Sequence, residues 1–432
     1  MTVGASARLG GGTPERPAGV RVVLDARPLQ APDRSPLAAT YLDGLLGAYD
    51  ADVLDGESFA FLLASDLDDP TGGYTHLAIV GRRQLPPTRL LRSGAMTVDP
   101  FVLRGAAIGA AWRAERGGAA GSVYHAVGSG PLPIASGIPV IVTLLDLAPW
   151  ELPEAFQRSV VNRFGQRLRA QLVHEAAAVV VGSKATARAA RRILHIRRER
   201  LHVVPLAARA NFSPPDVDAP TGSAAGNAVR ERLGLDRRYL VFTGRFDARL
   251  DLRTLLSALA ALGVAGRPDG LHADVPWPPR ILVVGASPDD RASLARAAAR
   301  KGIGDSFVYA PDLPLPDLAD LVRGARGAVL PVVSEAAGLS AIEALACGVP
   351  VVASAVGPLP ELIGPAGLLV EPRDADRLAV ALAAMWADDG VHDRIRTLAL
   401  EGARREPRTW ADVARETRSI YARVAAARSS AG

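Results

Sequence analysis

Short runs of Val, Ile and Leu alternate along the chain with longer stretches in which apolar residues recur every three or four positions. In the first half the runs are VRVVLDA (20–26), FAFLLAS (59–65), THLAIVG (75–81), SVYHAV (122–127), PVIVTLL (139–145), AAVVVGS (177–183) and LHVVPL (201–206). The second half repeats the scheme with YLVFTGR (239–245), RILVVGA (280–286), SFVYAP (306–311), GAVLPVV (327–333), PVVASAV (350–356) and GLLVEP (367–372). Continuous apolar runs suit strands buried on both faces. The helical patterns between them, at 251–262, 289–302, 315–324, 338–347 and 374–387, make βαβ units and parallel sheets.

Between the halves, FSPPDVDAPTGSAAGNAV (212–229) is dense in Pro, Gly, Ser and Asp, which is linker chemistry. The pattern therefore predicts an α/β fold of two doubly wound, Rossmann-like domains facing across a cleft. Their extents are 20–211 and 238–405, with a linker at 212–237. Residues 1–19 read as a flexible tail. The end, 406–432, reads as an amphipathic helix with Trp410, Val413, Ile420, Tyr421 and Val424 on its apolar side. In such folds ligands sit outside the carboxyl ends of the strands.

Composition narrows the chemistry. The 432 residues, 49% hydrophobic and 22% charged, are an ordinary globular mixture too long for one core. No run reaches the roughly 18 apolar residues of a membrane span, and the start lacks the apolar centre of a secretory signal, so a cytoplasmic protein is expected. A single cysteine, Cys347, rules out an internal disulfide framework, and no His or Cys cluster has metal spacing; no metal or other cofactor is expected. The net charge of +5 raises nucleic acid as a partner, but the basic residues are scattered with no aromatics interleaved, so none is expected. Lys184 and Lys301 are the two lysines, which leaves anion recognition to arginine and its planar fork.

Neither GxxxxGK[ST], nor a GxGxxG opening a helix, nor GxSxG occurs. The most suggestive stretch is SEAAGLSAIEALACGVP (334–350), whose two acids, Glu335 and Glu343, stand in an otherwise apolar segment. Glu335 falls in the turn after a strand, and Gly338 and Leu339 lead into a helix carrying Glu343. The first-turn amides of that helix suit anionic or hydroxyl-rich ligands. Ser340 to Glu343 also fits a capping box, and the spacing leaves both readings open. In TGRFDARLDLRTLLSAL (243–259), Arg245 precedes a helix and suits a phosphate, or else pairs at the surface with Asp247 or Asp251. Arg163, Arg167 and Arg169 of NRFGQRLRAQLVHEAA (162–177) fit either a solvated face or contact with an anionic membrane surface.

From about Arg21 to Val424 the chain resembles the family-4 retaining glycosyltransferases of the GT-B fold, of mannosyl- or rhamnosyl-transferase type. The likeness rests on VLDARPLQ, on VYHAVGSGPLPIASGIPVIVTLLDLAPWELPEAF and on VVVGSKATARAARRILHIRRERLHVVPLAARANFSP. It continues in YLVFTGR, in the E-x7-E block with its flanks, and in WADVARETRSIYARV. The resemblance implies transfer of a hexose such as mannose or glucose from a nucleotide-sugar to a glycan or lipid-linked hydroxyl. This would serve polysaccharide or glycolipid synthesis, in the cytoplasm or peripheral to the inner face of the membrane, without metal. It further implies that Glu335 meets the donor sugar at the reacting face and Glu343 the ribose hydroxyls. Amides around Gly338, Leu339 and Ser340 would approach sugar and phosphates, and Arg245 would take the diphosphate.

The chain departs from the family pattern at four places. The lysine expected after Arg245 falls on Leu250 or Asp251, with Arg249 nearby as a substitute. The histidine position of VTLLDLA is Leu145, with Asp146 kept. The glycine-rich loop is SPLAATY (35–41), and Gly-Phe after the first Glu is Ala336–Ala337. These changes frame an alternative, a catalytically degenerate GT-B protein that binds nucleotide-sugar or acts as a scaffold subunit.

Overall fold

The computed structural model describes residues 20–88, 95–115, 121–215, 224–235, 238–405 and 407–429. The expected tail at 1–19 lies outside them. Among the described residues, thirteen strands form two sheets. The first holds β1 (Arg21–Asp25), β2 (Ser58–Ala64), β3 (Ile79–Leu85), β4 (Ser122–Val127), β5 (Val140–Leu144), β6 (Ala178–Val181) and β7 (Leu201–Val203). The second holds β8 (Leu240–Phe242), β9 (Ile281–Val284), β10 (Phe307–Ala310), β11 (Gly327–Leu330), β12 (Val351–Ser354) and β13 (Gly367–Val370).

Strand order is β3-β2-β1-β4-β5-β6-β7 in one sheet and β10-β9-β8-β11-β12-β13 in the other. All neighbours pair parallel. Each order reverses once, between β1 and β4 and between β8 and β11, and these are the switch points where such sheets open a ligand crevice. Alternation sets the cores: Val22 and Leu24 enter one apolar cluster while Val23 enters the cluster on the opposite face. In the second sheet, Leu240 and Phe242 divide from Val241 in the same way.

Two boundaries differ from those read in the sequence. The run at 75–81 is only partly strand, because β3 is an edge strand extending through the charged Ile79–Leu85; an edge tolerates such residues. The linker expected at 212–237 contains a helix, Ala224–Arg232. Val229 and Leu235 are buried in a second-domain cluster, which assigns that part to the second domain despite its polar composition. The final helix runs Trp410–Ser429 and crosses back onto the first domain. Val413, Ile420 and Tyr421 join the first-domain core, and Arg418 pairs there with Glu57 (Nη2 to Oε2, 2.7 Å).

Candidate active site

At the second switch point the loops after β8 and β11 are joined. Asp251 N–H donates to the Pro331 carbonyl and Val333 N–H to that of Arg249, each at 2.8 Å, while Leu250 bridges Val332. Arg245, Asp247 and Arg249 are thereby held opposite the turn that carries Glu335. That turn curls around its own carboxylate. Glu335 Oε1 accepts from the amides of Ala336 (3.0 Å), Ala337 (3.0 Å) and Gly338 (2.9 Å). Gly357, at φ 52°, lies underneath; a Cβ there would stand 1.9 Å from the Glu335 carbonyl oxygen, so only glycine lets the two backbones meet.

The helix Leu339–Ala346 starts from Gly338 with no side-chain cap, so the capping box of Ser340 and Glu343 does not form. The Gly338 amide is used by Glu335, contrary to its expected place among the ligand-facing amides. Those of Leu339 and Ser340 have no acceptor among the described residues. Glu343 is buried and forms a bidentate pair with Arg209, Nε–Oε1 2.5 Å and Nη2–Oε2 3.0 Å. The Arg209 guanidinium lies 5.0 Å from the centre of the Phe212 ring. Burial pushes the Glu343 carboxyl up, with Arg209 opposing.

Arg249 spans the domains. Its Nε donates to Asp247 Oδ1 at 3.0 Å and its Nη1 reaches Asp146 Oδ2, on the first domain, at 3.0 Å. Burial works against the Arg249 charge, yet Asp247 and Asp146 hold it above the ordinary arginine range. Asp247 in turn is held below the usual carboxylate range by Arg249 despite its burial. Arg245 is freer, half-exposed and 3.5 Å from Asp247 Oδ2.

The departures have structural explanations. Leu250 packs on the second-domain core, and Asp251 caps the helix Leu252–Ala265 by accepting from Thr254 N–H at 3.4 Å. Leu145 is buried in the first-domain core. Pro36 opens the helix Pro36–Ala51, and the glycine missing from 35–41 is found opposite it: a Cβ on Gly128 would stand 2.9 Å from that of Ala38. Ala336 and Ala337 are buried against first-domain clusters.

Further contacts close the cleft at this turn. Ser334 Oγ donates to Glu151 Oε2 (2.6 Å), Thr186 Oγ1 to the Ala336 carbonyl (2.8 Å), and Glu361 accepts from the amides of Lys184 (3.3 Å) and Ala185 (3.1 Å). Sequence reading missed Arg209, Asp247's bridging role, Glu151 and Glu361. Each acts through a partner distant in the chain or through a local turn, and no motif marks it. Of the basic helix, Arg163 and Arg167 are exposed, but Arg169 points inward and donates to the carbonyls of Gly130 (2.9 Å) and Gly128 (2.6 Å). Burial pulls Arg169 down to about 10, so it belongs to the interior and not to a surface patch.

Residues 237–388 match the family described as glycosyl transferases group 1. A D-inositol 3-phosphate glycosyltransferase of Xylanimonas cellulosilytica is 31% identical over 64% of this chain and 63% of its own length. One of Thermobispora bispora is 31% identical over 66% and 65%. The chain thus spans less than two thirds of these relatives. Sucrose-phosphate synthase from Thermosynechococcus elongatus superposes with a TM-score of 0.66 at 20% identity, over 95% of this chain and 100% of that one. Anabaena HepE in complex with UDP and glucose gives 0.64 at 16%, over 93% and 99%. The chain therefore carries the GT-B fold, and within it residues 237–388 are similar to the glycosyl transferases group 1 family.

Proposed function

We propose that this chain transfers a hexose from a nucleotide-sugar to the hydroxyl of a glycan or lipid-linked acceptor, with retention of anomeric configuration. One observation carries the reading. Arg245 and Arg249 follow β8, and the amides of Leu339 and Ser340, without an acceptor among the described residues, follow β11, so all stand at the second switch point, where Arg249 reaches Asp146 of the first domain. Two guanidinium groups and a helix start suit a diphosphate. Arg245 meets it first; Arg249 exchanges Asp146 for phosphate oxygens. As the bond from the anomeric carbon to the diphosphate breaks, these groups stabilise the charge on the leaving oxygen. The acceptor oxygen bonds to that carbon, and its proton leaves with the diphosphate. Glu335, with Oε1 fixed by three amides, presents Oε2 to a donor-sugar hydroxyl. Glu343 takes the ribose hydroxyls only by sharing its carboxylate with Arg209. No metal is assigned a role. The names of the relatives support glycosyl transfer, and the UDP and glucose bound by the Anabaena neighbour support a nucleotide-sugar as donor.

The test is proton NMR of purified protein with UDP-, GDP- and ADP-hexoses and a panel of polyol acceptors. One donor should be consumed to a product of unchanged anomeric configuration, and Glu335→Gln should slow this at least about tenfold, for one lost charged hydrogen bond. An inverted product, or binding without turnover, contradicts the proposal.

We also propose contact with an anionic membrane, carried by a patch on the first domain. Val160 (71% exposed) and Phe164 (55%) stand beside exposed Arg163 and Arg167 on the helix Val160–Glu175. Co-sedimentation with phosphatidylglycerol vesicles, reduced in Phe164→Ser, is expected; equal sedimentation with phosphatidylcholine vesicles would refute it.

A further inference from the structure

The apolar run that forms β1 opens with an arginine, Arg21, which is 8% exposed. An arginine that deep ordinarily has carboxylates or carbonyls to answer its charge. The other buried arginines do: Arg418 has Glu57 and Asp52, and Arg169 has the carbonyls of Gly128 and Gly130. Arg21 makes one side-chain hydrogen bond, from Nε to Ser58 Oγ at 3.3 Å, and neither of its Nη atoms has a partner among the described residues. They are not sealed in as Arg169 Nη1 is, so a ligand can reach them. Arg21 lines a cavity of about 280 Å³ with Ala60, Leu62, Gly81, Arg83 and Ala106. Strand register puts the first five on one face of the sheet, since Val23 pairs with Ala60, Ala60 with Gly81 and Leu62 with Arg83. Ala106 comes from the helix Ala95–Glu115. The small residues leave the room, and a Cβ on Gly81 would meet nothing within 4 Å. Arg83 is exposed and uses only Nη1, toward the Gly105 carbonyl at 3.0 Å. Arg82 also borders the cavity, but its Nε is taken by Asp69 at 2.8 Å and Thr71 at 2.9 Å. No carboxylate lines the cavity among the described residues.

We infer that this cavity binds a small phosphomonoester, at a site separate from the cleft. Two guanidinium groups with free donors and no acid between them match a dianion, whose oxygens can take parallel N–H bonds from each. A carboxylate carries one charge and leaves one arginine unanswered. The volume is close to the roughly 300 Å³ at which small-molecule cavities begin, which is room for more than the phosphoryl group. Ala60, Leu62 and Ala106 give that room an apolar wall, suited to the organic part of an ester. Arg21 lies beneath the surface, out of reach of a head group held in a bilayer, so the ester is a free molecule. Asp25, at the carboxyl end of β1, is four residues and about 13 Å from Arg21. The cavity therefore lies toward the amino ends of the strands, and it can fill while the cleft at their carboxyl ends is occupied.

Calorimetric titration of the full chain with phenyl phosphate and benzoate at constant ionic strength tests this. Phenyl phosphate should bind with a Kd of about 1 mM or tighter, and benzoate at least about tenfold more weakly. Arg83→Ala removes an exposed side chain, and Gly81→Leu fills the cavity from an open position. Each should weaken phenyl phosphate at least about tenfold, and saturating UDP, GDP or ADP should leave its binding unchanged. Phenyl phosphate should also raise the Tm of the wild type and not that of Arg21→Gln. No binding to the wild type, equal affinity in Arg83→Ala or Gly81→Leu, or benzoate bound as tightly would each overturn the site. Competition with nucleotide would place the ester in the cleft and overturn it too. So would phosphatidic acid vesicles bound through Arg21 by protein that leaves phenyl phosphate free.

Discussion

The two acids of the segment 334–350 have different partners, and both bonds explain why acids can stand there. Glu335 is satisfied by the amides of its own turn, Glu343 by Arg209. The first was within reach of sequence reasoning, since a strand end followed by Gly338 marks a tight turn. The second was not. Arg209 lies 134 residues from its partner, in a segment whose only visible signal is the end of a strand. Arg209→Ala should destabilise the protein by about 3 kcal/mol in urea unfolding, the low end for a broken buried pair because Arg209 is itself partly exposed. Adding Glu343→Gln should recover much of that loss, because the uncompensated charge is then gone. A cost near zero for Arg209→Ala would show that Glu343 finds another donor.

Among elements, every strand read from the apolar runs exists, because strands buried on both faces leave a continuous signal. The exceptions follow from the same physics: β3 lies at an edge with one neighbour, and the helix Ala224–Arg232 stands in a stretch whose Gly, Asn and Arg leave no apolar period to read. The closing helix was legible from its apolar side, but its polar fastening was not. His125 on β4 is fully buried, with Nδ1 2.6 Å from the Tyr421 hydroxyl and Nε2 2.8 Å from Thr143 Oγ1. Burial takes its pKa from 6.5 down to about 3. The folded form thus prefers the neutral ring, and stability present above 6.5 is lost as the pH falls toward 3. Between about pH 6.5 and 4.5, before most carboxylates titrate, the loss should be about 2–3 kcal/mol. His392 and His202, also lowered by burial, contribute in the same direction. His125→Asn should flatten most of the slope in urea titrations across that window; an unchanged slope would place the acid sensitivity elsewhere.

At the scale of the whole molecule, two doubly wound sheets set their switch points toward one cleft, and this division was readable from the repeat of strand and helix patterns. How the cleft is closed was not readable. It depends on single side chains crossing between domains, such as Arg249 to Asp146, Ser334 to Glu151 and Glu361 to the helix starting at Lys184. One of the four departures from the family pattern, Ala336–Ala337, lies along this seam. Ala336 and Ala337 pack against the first domain, and Asp146 holds an arginine of the second. Donor binding, on this account, works by replacing Asp146 with a diphosphate, so the second domain alone supplies the nucleotide site. Arg245 is the cleanest probe of it. Its loss leaves Asp247 still paired with Arg249, so the fold should be undisturbed. The most direct measurement is calorimetric titration of UDP, GDP and ADP into the wild type and Arg245→Ala. The account predicts that one nucleotide binds the wild type and binds the variant about tenfold to a hundredfold more weakly, as for one charged contact. Absence of binding by all three, or equal affinity in the variant, would contradict it.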